Sequence, residues 1–240
     1  MATAEKSKTP PLDGASSSTQ ADDEFFLDDS FVTIRAGGTL FRLPSSKLNA
    51  ESQYFRRLSS QTESLLKTSS NENPFKLPTN VSAEDFKLLL RLMNLSFGAN
   101  TVATQVQYSK QDWRKVLRLS SLWAFSRIRK DAIKNLHQVG LAEMEKVLLG
   151  REYSISQWVK EGYLGLVTRT TTISSFEATS IGLDAVVKLF QMRETRALAA
   201  GSAFSRVFFS TEESSIHRLA EIEKAFRQEL AGIELLEGRF

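Results

Sequence analysis

Two histidines, His137 and His217, are the imidazoles of this 240-residue sequence, so general-base or imidazole–metal chemistry has to pass through them. His217 lies four residues from both Glu213 and Glu221, the spacing of ion-paired neighbours on one helix face. One imidazole and two carboxylates on an exposed face recur without a metal, and the pattern reads as surface pairing. A Ser-His-Asp relay needs tertiary structure to bring its three members together. His137 instead ends a predicted helix, where a cationic imidazole suits the negative C-terminal dipole. The sequence contains no cysteine, which removes thiol nucleophiles, thiolate zinc sites, iron–sulfur clusters and disulfides. Gly37-Gly38 precedes a strand-like run, not a helix, and no Gly-Lys-Ser/Thr follows, so it reads as a turn and not as a phosphate loop. Trp113, Trp123 and Trp158 fall on apolar stripes and read as core, not as base-stacking platforms. The expectation is a chain with no catalytic, cofactor-binding or metal-ligating residues.

The elements around these residues look globular. Hydrophobic residues make up 41% and charged residues 25% of the chain, ordinary values for a folded protein. No apolar run approaches 18 residues, and Met1–Gln20 lacks the apolar stretch of a signal peptide. A cytoplasmic or nuclear protein without a membrane partner is expected. The net charge of +3 hides an asymmetry, because residues 1–30 carry seven acids against two lysines. That segment is −5 and the remainder +8. The positive charges of the body alternate with acids as on a solvated face, so nucleic acid is not the expected partner.

Residues 1–24 are rich in Ser, Thr, Pro and Asp and are expected to be a disordered tail with serines able to accept phosphate. Phe31–Arg35 and Leu40–Leu43 read as strands of a hairpin around Ala36-Gly37-Gly38-Thr39. Pro44 ends the pairing, and Ser45 or Ser46 is expected to cap one helix with Leu48, Ser52, Phe55 and Ser59 on a stripe. Phe75-Lys76-Leu77 is a short third strand. Ser82 and Asp85, with Val81 and Phe86 placed for a hydrophobic staple, open a helix carrying Leu89, Leu90 and Met93. Ser109 and Asp112 repeat the cap before Trp113, Val116, Leu117 and Ser120, and Ser126 is expected to cap the helix of Ile128, Ala132, Ile133 and Leu136. Beyond Leu141 the pattern is helical, with stripes Met144/Val147/Leu148 and Leu183/Val186/Val187/Phe190. Ser174 and Glu177 form a capping box, and Gly182 follows Ile181 as a stop. The Ala/Gly/Ser-rich run from Arg196 to Ser205 reads as a linker. Ile216, Leu219, Ile222, Phe226, Leu230 and Ile233 space out one amphipathic C-terminal helix. No repeat of fixed period suggests a solenoid. Strands first and helices after argue for an α+β fold.

In order and spacing these segments resemble a BTB/POZ domain with a helical extension, closest to the fungal BTB-domain group. The resemblance rests on Leu40-Phe41-Arg42-Leu43 with Leu48, Ser52, Tyr54 and Phe55; on Phe75 through Val81-Ser82 to Met93; and on Trp113 to Leu136. It continues through Leu149–Tyr153, Ile155–Trp158, Gly162-Tyr163 and Gly182-Leu183, and covers residues ~28 to ~196. Pro44 stands where the family usually has histidine, Ser120 where it often has alanine, and Asn94 where tyrosine is common. The resemblance implies a small sheet flanked by a helical cluster over 25–138, an all-α BACK-like extension over 139–196, and a linker with a C-terminal helix over 197–240. It also implies a non-enzymatic interaction module that forms homodimers, with an apolar surface drawn from Phe31, Ile34, Phe41, Leu48 and Phe55. Relatives often serve as adaptors that bring client proteins to a cullin-type scaffold for ubiquitin transfer. A second implied role is a DNA- or chromatin-associated regulator that self-associates through the domain.

Overall fold

β-Branched and aromatic residues on either side of two glycines build the hairpin with which the described residues begin. The computed structural model describes residues 30–61, 66–93, 107–201 and 211–238. The expected tail over 1–24 lies outside them. Strand β1 (Phe31–Ala36) pairs antiparallel with β2 (Thr39–Pro44), with Ile34 opposite Phe41. Gly37 adopts φ +55°, the left-handed conformation that tight hairpin turns require and that glycine enters without steric cost. The two-residue strand β3 (Phe75–Lys76) joins β1 in parallel and completes a three-stranded sheet of order β2-β1-β3. Eleven helices follow or interleave among the described residues, which makes the fold α+β.

The expected single helix after Pro44 is two. Helix α1 (Ser45–Glu51) is preceded by Pro44 at its N-cap with no side-chain cap, so neither Ser45 nor Ser46 caps it. Ser52 interrupts the run in an extended conformation and caps α2 (Gln53–Ser60). Its hydroxyl accepts from Phe55 N–H at 3.1 Å and donates to the Trp123 carbonyl at 2.6 Å. A distant carbonyl thus claims a serine whose intrinsic preference already favours caps.

Helix α3 (Ala83–Leu92) starts as the pattern anticipates, with Ser82 accepting from Asp85 N–H and with Val81 and Phe86 buried. Asp85, itself buried, meets Lys115 at 3.0 Å and Arg118 at 3.2 Å, tying α3 to α4 (Lys110–Leu122). The Ser109–Asp112 capping box of α4 is complete. Helix α5 (Ser126–Val139) is capped by Phe125 without a side-chain bond, so Ser126 is its first turn and not its cap.

Helices α6 (Glu143–Glu152) and α7 (Ser156–Thr168) form a hairpin that repeats the α4–α5 hairpin thirty residues later. Ala124 (φ 50°) and Ser154 (φ 52°) take the same left-handed turn. Phe125 N–H bonds to Ser120 O and Ile155 N–H to Gly150 O, each at 2.8 Å. Arg129 of α5, also buried, donates through Nη2 to the carbonyls of Tyr153 and Ser154, so one hairpin holds the turn of the next. Gly162 lets α7 lie against α6, since a Cβ there would stand 2.7 Å from Glu143 O and 2.6 Å from a Val147 methyl.

Helix α8 (Ser175–Ile181) carries the expected Ser174–Glu177 box and ends at Gly182, φ +91°. Helix α9 (Leu183–Gly201) takes in the first part of the Arg196–Ser205 run expected to be a linker, in keeping with the high helix propensity of alanine, and residues 202–205 lie outside the described residues. The expected single C-terminal helix is α10 (Thr211–Ala225) and α11 (Arg227–Glu237), broken at Phe226 (φ −107°, ψ 17°). Its stripe packs on its own chain: Ile222, Phe226, Leu230 and Ile233 are buried, and Phe226 stacks on Tyr163 with centroids 4.1 Å apart. The side chain of Ile216 lies outside the described residues.

Two apolar cores result. One joins the inner sheet face to α1–α5 and reaches Leu149, Ile155 and Trp158. The other gathers α6–α11 around Val159, Tyr163 and Leu166. The α6–α7 hairpin contributes to both.

Candidate interaction surfaces

Alternation along the strands sorts the five residues expected to form an apolar surface. Val32, Ile34 and Ala36 are buried on the inner face and Phe31 and Arg35 are exposed on the outer one, whereas Thr33, on the outer face by alternation, is itself buried. Ile34, Leu48 and Phe55 are fully buried and are core, not surface. Phe55 is ringed by Tyr54, Phe75, Trp123 and Phe125 at centroid distances of 5.2 to 6.3 Å. Phe41 is half-buried and meets Phe86 edge-on at 5.1 Å. Phe31 alone of the five is exposed, at 51%. The correction has one cause: the inner sheet face and the helix faces packed on it form one core, and folding consumes the apolar residues of both.

The histidines do not converge. His137 Nδ1 lies 3.8 Å from Glu161 Oε2 in the last turn of α5. His217 Nε2 lies 3.3 Å from Glu221 on α10. All three tryptophans are buried. Among the described residues no three of His, Asp and Glu gather as a metal-holding group, and no helix is long and apolar enough to cross a membrane.

Among the described residues the fold leaves apolar side chains exposed at several single positions, Phe176 and Leu235 among them, and in three further places. The outer sheet face carries Phe31 and, at the other end, Leu40. A groove of about 430 Å³ runs between α2 and the α4–α5 turn, lined by Tyr54, Arg57, Leu58 and Leu122. The third is on α9. The stripe expected to face inward, Leu183, Val187 and Phe190, faces out at 79%, 45% and 44% exposure, while Ala185, Val186 and Leu189 are buried. Leu198 continues the outer row. Two stripes share this helix, and only Val186 belongs to the buried one among the four expected inward residues. On α6 the same happens in miniature, with Leu148 exposed and Leu149 buried.

Beside the α9 row lies a groove of about 620 Å³ whose rim is basic. Arg193 Nη1 donates to the Leu166 carbonyl at 2.6 Å, and Arg196 Nη1 to those of Val167 and Thr168, so both guanidinia close the C-terminus of α7. Their charge there complements the helix dipole. Arg169 grips Glu177 with two hydrogen bonds, Nη1 to Oε1 at 2.8 Å and Nη2 to Oε2 at 2.6 Å. Those bonds are the main cause that brings the Glu177 carboxyl from 4.5 down to about 2; burial opposes them, and the Ser174 N–H and hydroxyl add to them. A depressed carboxylate stabilises the fold in full above its unfolded value and loses that contribution as pH falls through its folded value. Glu177→Gln is therefore expected to lower the thermal midpoint near neutrality, with the gap from wild type closing between pH 4.5 and 2. A gap that stays constant across that window, followed by circular dichroism, would contradict the assignment.

A polar cluster secures the returning C-terminus. Arg151 Nε donates to Glu229 at 2.7 Å, Nη1 to the Ile181 carbonyl at 2.8 Å and Nη2 to Tyr163 Oη at 2.6 Å. The Tyr163 hydroxyl donates to Glu229, and its pKa is pushed up by burial first and by the Glu229 charge next. Glu237 accepts from the N–H and hydroxyl of Ser156 at the start of α7, where a carboxylate suits the positive end of a helix. Each member of this cluster bonds another, which ties α11 to α6 and α7.

Among known proteins, no family model and no curated protein matches this chain. Its functional reading therefore rests on these surfaces.

Proposed function

We propose that the protein is a non-enzymatic, BTB-like interaction module that forms a homodimer through the outer row of α9. The observation that carries the reading is that row. Leu183, Val187 and Phe190 follow one another at helical spacing, as buried residues do, yet stand in solvent. Contiguous apolar side chains on an exposed face mark contact sites. In a two-fold dimer the same row meets itself, and three residues per copy make six. Each retains roughly half or more of its surface to lose, so together they offer on the order of 6–12 kcal/mol. Association costs take at least ~4 kcal/mol of this. The balance of roughly 2–8 kcal/mol corresponds to a dissociation constant from about 30 mM down to about 1 µM, and the proposed dimer falls in the part of that range below about 1 mM.

The BTB-like part of the reading draws support from element order. A hairpin runs through Pro44 into α1–α2, a short parallel third strand follows, then α3 and the α4–α5 pair, which is the order the resemblance implies. The finer role, an adaptor between a client and a cullin-type scaffold, comes from that resemblance and assigns the α2/α4–α5 groove as a second contact surface.

Sedimentation equilibrium of the full chain from ~10 µM to ~1 mM should show the mass rising from 26.9 kDa towards twice that value. Val187→Glu with Phe190→Glu should hold it at the monomer value without changing the thermal midpoint. A wild-type mass that stays at 26.9 kDa up to millimolar concentration sinks the reading.

A further inference from the structure

Charge changes sign along the outer row of α9. At its N-terminal end Leu183 is followed by Asp184, an exposed carboxylate that meets Lys188 at 2.7 Å. At its C-terminal end Arg193 and Arg196 stand beside Ala197 on the rim of the groove that Val167 and Phe190 also line. Both arginines donate to carbonyls of α7, and the half-charge of a helix C-terminus offsets only part of two full ones. Glu194 shares the rim, and Arg169 there is matched by Glu177, so the groove is basic by excess. The exposed large apolar residues of the helix run from Leu183 to Leu198, and the middle of that run falls beside Phe190.

We propose that two copies of α9 pair antiparallel about a two-fold axis beside Phe190, so that Leu183 of each copy occupies the groove of the other. The inference rests on the α9 dimer proposed above and adds its orientation and the occupant of the groove. Symmetry leaves two ways to lay the row on itself. An axis along the helix forces parallel register and sets Asp184 on Asp184, Glu194 on Glu194 and Arg196 on Arg196. Like charges so placed oppose association. An axis across the helix reverses one copy, and each residue before Phe190 faces the one as many positions after it. Leu183 then comes opposite Ala197 at the groove, and Asp184 opposite Arg196. Lys188 falls about half a turn from Glu194, and the two helix dipoles run in opposite directions. The apolar side chain enters between Val167 and Phe190, while the carboxylate beside it meets the basic rim.

The absence of cysteine makes the test direct. Full-length Leu183→Cys and Ala197→Cys chains are mixed at ~1 mM and treated with a mild oxidant. A disulfide needs Cα atoms ~4.4–6.8 Å apart, which only facing positions approach. The two copies of Leu183 are separated by twice seven residue steps, ~21 Å along the helix. The mixture should therefore give a covalent dimer with one chain of each kind, and either chain alone should give none. Val187→Glu in both chains should remove the product. Asp184→Arg in both should cut its yield several-fold at ~0.01 M ionic strength, where screening is weak, and an unchanged yield overturns the alignment. Self-linked dimers from either chain alone overturn it too, since they report parallel pairing. So does a failure to cross-link while the sedimentation mass rises towards twice 26.9 kDa, a result that leaves the α9 dimer in place. A failure to cross-link with the mass held at 26.9 kDa removes both.

Discussion

Gly162→Ala is expected to lower the thermal midpoint by ~6–12 °C, although it adds one methyl group to a helix. Its Cβ would enter space held by Glu143 O at 2.7 Å, Val147 N at 3.0 Å and a Val147 methyl at 2.6 Å. Two of those three atoms belong to the α6 backbone and cannot rotate aside. Overpacking costs typically 1–3 kcal/mol, and the rigid neighbours put this case near the top, at about 3 kcal/mol. At ~2–4 °C per kcal/mol for a chain of this size, that gives the stated range. Gly232→Ala is the matched opposite. It sits exposed within α11 with nothing within 4 Å of the added Cβ, so the gain in helix propensity of up to ~1 kcal/mol should raise the midpoint. If both substitutions move the midpoint alike, the close α6–α7 approach is not what stabilises the hairpin.

Phe55→Ala should cost ~3–5 kcal/mol, the range for emptying a fully buried aromatic site. The ring has no exposed surface and touches residues from α2, β3 and the α4–α5 turn, so the void cannot be filled by one neighbour moving. Urea unfolding followed by the emission of Trp123, 5.8 Å away, reads the loss directly. Phe31→Ala, half exposed on the outer sheet face, should stay within ~0.5 kcal/mol of wild type. Equal costs at the two positions would mean that Phe55 is not core.

The parts of this fold legible in the sequence are those governed by near neighbours. The boxes at Ser109 and Ser174, the cap at Ser82 and the turn at Gly37 each bond within three residues or demand a conformation that one residue type supplies. The break at Ser52 was not legible, because its partner, the Trp123 carbonyl, lies 71 residues away. Nor were the left-handed turns at Ala124 and Ser154, where ordinary residues accept φ near +50° and leave no compositional mark. The repeated hairpin leaves no mark in the sequence for that reason. On α9 both apolar stripes satisfy the helical period, and only packing against α7 chooses which is inside. The candidate surface suffered from the same ambiguity. Ile34, Leu48 and Phe55 are apolar at the right spacing for either a core or an interface, and the core took them.

The return of the last helices onto α7 has a consequence for how the chain is made. The apolar side of Tyr163, Leu166 and Val167 is completed by Ile222, Phe226, Leu230 and Ile233, some 60 residues later. At synthesis rates of ~5–20 residues per second, that wall stands open for roughly 3–12 s on every nascent chain. Among the described residues the sheet-bearing core draws nothing from beyond Trp158 and can close long before. During that interval each ribosome carries a finished first half and a greasy unfinished second half. A stalled or clipped product would therefore be a ready client for chaperones.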